Sequence, residues 1–274
     1  MSSRARTQPF ALGARRAIRK TGLRRAKVAS LRTCCERNGL ALVGRGSAAP
    51  HGRILCYHSV GTPAWGVNDV SPRQFARHIE LALGGGYRFV SAEEIAAGGG
   101  GPKDIAITFD DGLASIVNAT PILHDYSIPW TLFVVSDWAD GRATWGGDIF
   151  LNWREVEACM AMGATIGSHS VTHPDFSRLD AAATNAEVAR SRVIISERTG
   201  VAPASFAIPY GQSGNWPQAA MDAAQAAGYT TIYAQSVDRR PAGTVPRTFI
   251  TRWDNDRVFR GALGGRFDGW EEWV

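Results

Sequence analysis

Short apolar runs alternate with longer amphipathic stretches along most of the chain. "DIAITF" (104–109) and "WTLFVVS" (130–136) are apolar at successive positions rather than at every second one, as in strands of a parallel sheet covered on both faces. "RILCYHSV" (53–60), "RFVS" (88–91), "ATIGSHS" (164–170), "ASFAIPYG" (204–211) and "YTTIYAQ" (229–235) read as further strands. Helical patterns lie between them. "SPRQFARHIELALGGGY" (71–87) opens on Ser71 with Pro72 in its first turn and ends on a glycine run. "SAEEIAAG", "SIVNATPILHDY", "NWREVEACMAMG" (152–163), "DAAATNAEVARSRVIISERTG" (180–200) and "PQAAMDAAQAAG" (217–228) follow. Strands and helices thus alternate about seven times between roughly residues 53 and 250. This predicts one parallel α/β domain, a barrel or a doubly wound sheet. The glycines at 98–101 read as a loop inside it.

In both architectures chemistry gathers at the C-terminal ends of the strands. The residues in those places are Tyr57 and His58, Asp110 and Asp111, Ser168 and His169, and Pro209 and Tyr210.

Composition sharpens the boundary of this region. The chain has 274 residues, of which 45% are hydrophobic and 20% charged, ordinary globular values. The net charge of +5 is unevenly spread, since residues 1–49 hold 12 Lys/Arg against a single acid, Glu36. We therefore expect a flexible basic extension over 1–49 and a mildly acidic catalytic domain over 50–274. The extension has no apolar run long enough for a secretory signal or a membrane span. A basic helix over residues 10–32 could lie on an anionic membrane surface, so the expected location is cytoplasmic or peripheral at the inner membrane. A single aromatic, Phe10, interrupts the basic residues, and nucleic acid is not an expected partner. Cys34, Cys35, Cys56 and Cys159 have neither disulfide-framework nor zinc-finger spacing, and a reducing compartment is the simpler expectation.

Two constellations carry chemistry. His169 and His173, four apart in "GSHSVTHPDF", would share one face of a helical turn and could grip one metal ion. With one carboxylate they make a three-ligand set with a position open for water, the arrangement of catalytic zinc. Asp110 and Asp111 end a buried strand together. A natural division gives one of them to the metal and leaves the other as general base.

"TFDDG" (108–112) followed by "HSVTH" (169–173) resembles the polysaccharide deacetylase family, the NodB-homology carbohydrate esterases, whose first two motifs are T-F-D-D-G and H-S/T-x-x-H. "LCYHSV", "ATIGSHSVTHPDFSRL" and "FAIPYG" look like members acting in exopolysaccharide and cell-envelope pathways. The likeness covers roughly residues 53–250. It implies a distorted (β/α)7 barrel and metal-dependent hydrolysis of N-acetyl or O-acetyl groups on an N-acetylglucosamine-based glycan. It implies Asp110 as general base for the attacking water and Asp111, His169 and His173 as ligands of a divalent metal, most often Zn²⁺. The backbone N–H of Tyr210 would stabilise the oxyanion, with Pro209 and Tyr210 beside the substrate.

The sequence departs from the family pattern twice. In the third motif, R-x-P-[YF], the Arg position is Ala207, and Arg247 in "VPRTF" is the candidate replacement that would orient Asp110. The late motif L-x-x-H, whose His is the general acid, is absent, and His58 is the candidate proton donor. Trp145 is a candidate for stacking on a sugar ring. Like Trp145, Trp153 and Trp216 read as core or loop aromatics, and His51, His78 and His124 as structural or exposed. Two other readings use the same residues: a catalytically weak, metal-containing glycan-binding protein, and an amidase on a non-sugar amide.

Overall fold

The computed structural model describes residues 25–144, 147–235 and 240–271. The apolar runs become parallel strands: β1 (Arg53–Tyr57), β2 (Arg88–Phe89), β3 (Asp104–Phe109), β4 (Trp130–Val134), β5 (Ala164–Ser168), β6 (Ser205–Ala207), β7 (Thr231–Gln235) and β8 (Val245–Phe249). The order β1-β8-β7-β6-β5-β4-β3 closes on itself, because β1 also pairs with β3. The result is a parallel seven-stranded barrel, the fold the resemblance implied. β2 pairs with the N-terminal end of β3, through Arg88 opposite Asp104 and Phe89 opposite Ile105. The β1–β3 seam holds five registered pairs. The β5–β6 seam holds one, Ser168 opposite Phe206, so the barrel is distorted there.

β1, β3, β4 and β6 are buried at every position, on both faces, which is why their runs are not alternating, whereas β2 and part of β5 are exposed. Ile54, Ala106, Phe133, Ala207 and Tyr233 form one buried cluster, and α3 (Ala92–Ala96) joins it through Ala92 and Ile95. Leu55, Ile105, Ile107, Phe109, Leu132 and Val134 belong to another, which includes Phe75, Ile79 and Ala82 of α2 (Pro72–Gly84) and Val156 of α6 (Trp153–Ala161). Gly167 in β5 has no room for a side chain, since an added Cβ would stand 2.3 Å from the Phe133 ring. The other helices are α4 (Thr120–Asp125), α5 (Ser136–Ala139), α7 (Ala181–Thr199), α8 (Gln218–Ala226) and α9 (Asp256–Leu263). Their starts match the local sequence. Ser71, Ser91, Asn152 and Asp180 each accept a backbone N–H at a helix N-terminus.

Two elements were not foreseen. β8 contains Pro246, which argues against a central strand. Pro246 is tolerated because β8 there pairs with β7 only, and its pairing with β1 begins at Thr248. The second is α1 (Arg25–Val43). The extension expected to be flexible up to residue 49 is packed onto the barrel from α1 onward. Arg37 is completely buried and bridges both oxygens of Asp254, at 2.7 and 2.5 Å. It also donates to the Phe249 carbonyl at 3.0 Å and lies over the Phe267 and Trp270 rings. Most of the basic helix expected over 10–32 lies outside the described residues. No helix among the described residues is long and apolar enough to cross a membrane.

Removing one partner of a buried pair strands the other without a counter-charge. Arg37→Ala should therefore lower unfolding stability by about 3–5 kcal/mol, read from the urea midpoint. An unchanged midpoint would show that α1 does not hold the barrel.

Candidate active site

β3 delivers the two carboxylates. The Asp110 amide donates to the Tyr57 carbonyl at 3.0 Å, continuing the β1–β3 ladder one residue past the strand. Asp111 and Gly112 then adopt left-handed φ of 70° and 66°. Both aspartates are buried.

β5 delivers the first imidazole. The His169 amide donates to the Val134 carbonyl at 2.9 Å, and the ring's Nδ1 pairs with the Ala207 carbonyl at 2.8 Å. That bond leaves Nε2 to face the carboxylates, 3.4 Å from Asp111 Oδ1 and 3.8 Å from Asp110 Oδ2. His173 brings its Nε2 to 3.5 Å from the same Asp111 Oδ1. The segment between the two histidines is not the helical turn suggested by their spacing. Ser170 and His173 have φ of 72° and 61°, so the loop folds back on itself. Glu187 of α7 clamps it, accepting from the Val171 and Thr172 amides, both at 2.9 Å, and from the Thr172 hydroxyl at 2.7 Å. Ser170 Oγ accepts the His173 amide at 2.9 Å. No motif marks Glu187 in the sequence.

The donor atoms of Asp111, His169 and His173 lie within 4.8 Å of one another. Around a tetrahedral zinc with bonds of about 2.0–2.3 Å, neighbouring ligand atoms stand roughly 3.3–3.8 Å apart. The two Asp111–His separations match this. Asp111 Oδ1 is moreover buried with no hydrogen-bond partner among the described residues, and such an atom is costly unless a cation satisfies it. These residues fit a divalent metal.

Asp110 is held differently. Arg247, 3% exposed on β8, donates to both its oxygens, Nη1 to Oδ1 at 2.5 Å and Nη2 to Oδ2 at 2.7 Å. The guanidinium sits 5.2 Å from the Phe133 ring centre and 6.0 Å from that of Tyr233. Tyr233 in turn pairs with Ala207 across the β6–β7 seam. The positive charge lacking at 207 is thus supplied from two strands away.

Burial acts to raise the Asp110 carboxyl, but Arg247, His169 and His58 overcome it and hold it well below the ordinary range. Asp111 is likewise raised by burial and brought below its usual value by His169, 3.4 Å away, and the nearby His58 and His173. Burial would lower His169, yet Asp110 and Asp111 raise it. Burial lowers His173 to about 4 despite the pull of Asp111, leaving it the neutral imidazole a metal takes.

A cavity of about 430 Å³ opens over these groups. His58, past the end of β1, lines it with its ring edge-on to Phe249 at 5.1 Å, and its buried Nδ1 has no partner among the described residues. Tyr210, at φ 64°, turns its half-exposed ring over His173, 4.7 Å between centres. Pro209 precedes it but is not among the lining residues. Trp145 lies outside the described residues. Trp65 and Trp138 line the cavity instead, and Trp138 stacks on the His173 ring at 5.3 Å. Asn68 and Cys56 line it too. Trp153 and Trp216 are buried away from it, and His78 is buried between the Tyr57 hydroxyl and the Asp254 carbonyl.

Residues 97–232 match the model of the family described as polysaccharide deacetylase. The chain belongs to the polysaccharide deacetylase family, with TFDDG, HSVTH and the Pro209–Tyr210 pair inside the matched segment. It is 29% identical over 144 residues to a chitooligosaccharide deacetylase from Bradyrhizobium sp. (strain ANU 289), an alignment covering 51% of this chain and spanning only 59% of that protein's length. Among solved structures, the fold is similar to IcaB from Ammonifex degensii, with TM-score 0.66 and 24% identity over 81% of this chain and all of that one. It is also similar to the Streptococcus pyogenes deacetylase PplD, with TM-score 0.66 and 20% identity over 78% of this chain and 98% of that one. His58 and Arg247 fall outside the matched segment.

His173→Ala removes one of three donors. The purified variant should retain far less than one equivalent of zinc by elemental analysis, while Trp145→Ala keeps the full complement. Unchanged metal content in His173→Ala would refute the ligand set.

Proposed function

We propose that this protein is a metal-dependent hydrolase that removes acetyl groups from the amino groups of a glycan, an N-acetylglucosamine-based oligomer or polymer. The observation that carries this reading is the division between two adjacent buried carboxylates: Asp111 shares a donor pocket with His169 and His173, while Asp110 is ion-paired to Arg247. A glycan-binding protein has no use for an ionised base beside a metal site. The nature of the relatives, a chitooligosaccharide deacetylase among them, supports a sugar amide over other amides.

Asp111, His169 and His173 would hold a divalent cation, Zn²⁺ in the first instance, which when bound would supply Lewis acidity towards the acetyl carbonyl and water. Asp110 Oδ2, directed at the His169 side of the cavity, takes the proton from the attacking water. Arg247 keeps that carboxylate ionised and fixed in direction. The Tyr210 N–H, carried on a left-handed residue at the rim, donates to the oxygen of the tetrahedral intermediate. His58 lines the cavity near Asp110; burial disfavours its charged form, so it takes up a proton from water in the open cavity before passing one to the departing amine. The aromatic walls Trp65, Trp138 and Tyr210 offer faces to a sugar ring.

Acetate release from N-acetylglucosamine oligomers, measured with Zn²⁺ and after chelation, tests the reading. Turnover should require the metal, and Asp110→Asn should retain metal while losing about 10²-fold or more in kcat. A metal-loaded protein inert towards every acetylated glycan would sink the proposal.

The Arg247 pairing makes a pH prediction whose sign follows from Asp110. A base works only when ionised, so activity falls as pH drops through its pKa, and Arg247 pushes that pKa down. Arg247→Ala should shift the acidic limb of the kcat/KM profile to higher pH, and Arg247→Lys should shift it less. A limb that does not move would show that Asp110 is not the titrating base.

A further inference from the structure

Cys56 is not used by the proposed reaction, yet it points into the site. It lies on β1 with its Sγ 3.4 Å from Asp110 Oδ2, and it is not one of the groups that converge on Asp111. His58, two residues on, completes a second group: donor atoms of Cys56, His58 and Asp110 all lie within 4.8 Å of one another. The Cys56–Asp110 separation already matches the edge of a tetrahedral zinc site, roughly 3.3–3.8 Å. His58 Nδ1, buried and without a partner among the described residues, is the kind of atom that accepts a cation. Thiolate, imidazole and carboxylate together suit a borderline or soft divalent ion such as Zn²⁺ or Cd²⁺, and not Mg²⁺ or Ca²⁺.

We propose that Cys56, His58 and Asp110 form a second, weaker cation site whose occupation shuts the enzyme off. On binding, the Cys56 thiol releases its proton to solvent and its sulfur bonds the metal. Asp110 gives a lone pair to the same ion, and so does His58. The two groups assigned to move protons are then both engaged, while Asp111, His169 and His173 keep their own metal. Arg247 makes this site the weaker one, because it holds both oxygens of Asp110 and repels a second cation. The site therefore fills only when metal exceeds one equivalent, and excess zinc inhibits. The inhibitory consequence rests on the deacetylase reading above, whereas the binding itself does not.

Two measurements separate these. The first uses the protein with Cys34→Ser and Cys35→Ser, so that no thiol of α1 competes. Cd²⁺ added to it in the presence of one equivalent of zinc should produce the ultraviolet charge-transfer band of a cadmium thiolate. Adding Cys56→Ser to the same background should abolish the band. If the band persists without Cys56, or never forms with it, the second site does not exist. The second measurement follows acetate release against zinc concentration, each protein normalised to its own maximum. The rate should rise to one equivalent and then fall by about 10²-fold at saturation, as for loss of a general base, and Cys56→Ser should stay flat beyond its maximum. Inhibition equal in both would overturn the proposal while leaving the deacetylase reading intact. Absence of turnover at any zinc level, with the cadmium band present, would overturn the deacetylase reading and leave the site.

Discussion

The bond on which the site depends is the two-point ion pair between Arg247 and Asp110. Two adjacent carboxylates at the end of a buried strand repel each other, and burial disfavours the charge on each. The strand end is tenable only if each is answered separately. Asp111 is answered by two imidazoles and the cation they fit. Asp110 is answered by a guanidinium that occupies both of its oxygens from inside the barrel. Because the answers come from different directions, the two carboxylates acquire different chemistry from identical side chains. Without Arg247 the pair would have to share one positive centre, and neither would be free to act as a base.

The position of that guanidinium follows from packing. Ala207 carries the third-motif position on β6, and the space beside it is taken by Phe133 and Tyr233, which share its buried cluster. An arginine at 207 would need that space. From β8, Arg247 instead lays its charge across the two rings and reaches Asp110 and the Thr108 hydroxyl. Ala207 retains a role through its backbone, because its carbonyl fixes the His169 tautomer. One position of β6 thus supplies a hydrogen bond to the metal side of the site, and β8 supplies the charge for the base side.

How much of this could be read beforehand depended on whether the signal was local. "IAITF" and "WTLFV" declare doubly buried strands by composition, and the placement of Asp110, Asp111 and His169 at strand ends follows from that alone. Arg247 was nameable as a candidate, but its neighbours are 137 residues away in sequence, and Pro246 disguised the strand that carries it. The basic residues before position 50 looked like a solvated tail because charge density is read without partners. Arg37 is buried since Asp254, the Phe249 carbonyl and two aromatic rings wait for it in the C-terminal third of the chain. The four-residue spacing of His169 and His173 suggested a helix face. The loop achieves the same convergence by another route, with two left-handed residues.

Those left-handed residues show where the fold concentrates its strain. Among the described residues five non-glycines have positive φ, and four of them, Asp111, Ser170, His173 and Tyr210, belong to the site. Each costs on the order of 1–3 kcal/mol, so the surroundings must overdetermine them. They do so with side chains that have no part in the chemistry. Glu187 closes on the Val171–Thr172 backbone, and Ser168 accepts the Ser170 amide while donating to Ser191. The effect is to bring two imidazoles from one short loop onto a single oxygen of Asp111, a convergence that relaxed backbone would not hold. The weak β5–β6 seam lies directly beneath this loop. One residue beyond the single Ser168–Phe206 pair, the His169 ring takes the Ala207 carbonyl as its partner, so a side-chain bond joins the two strands where the backbone ladder has ended.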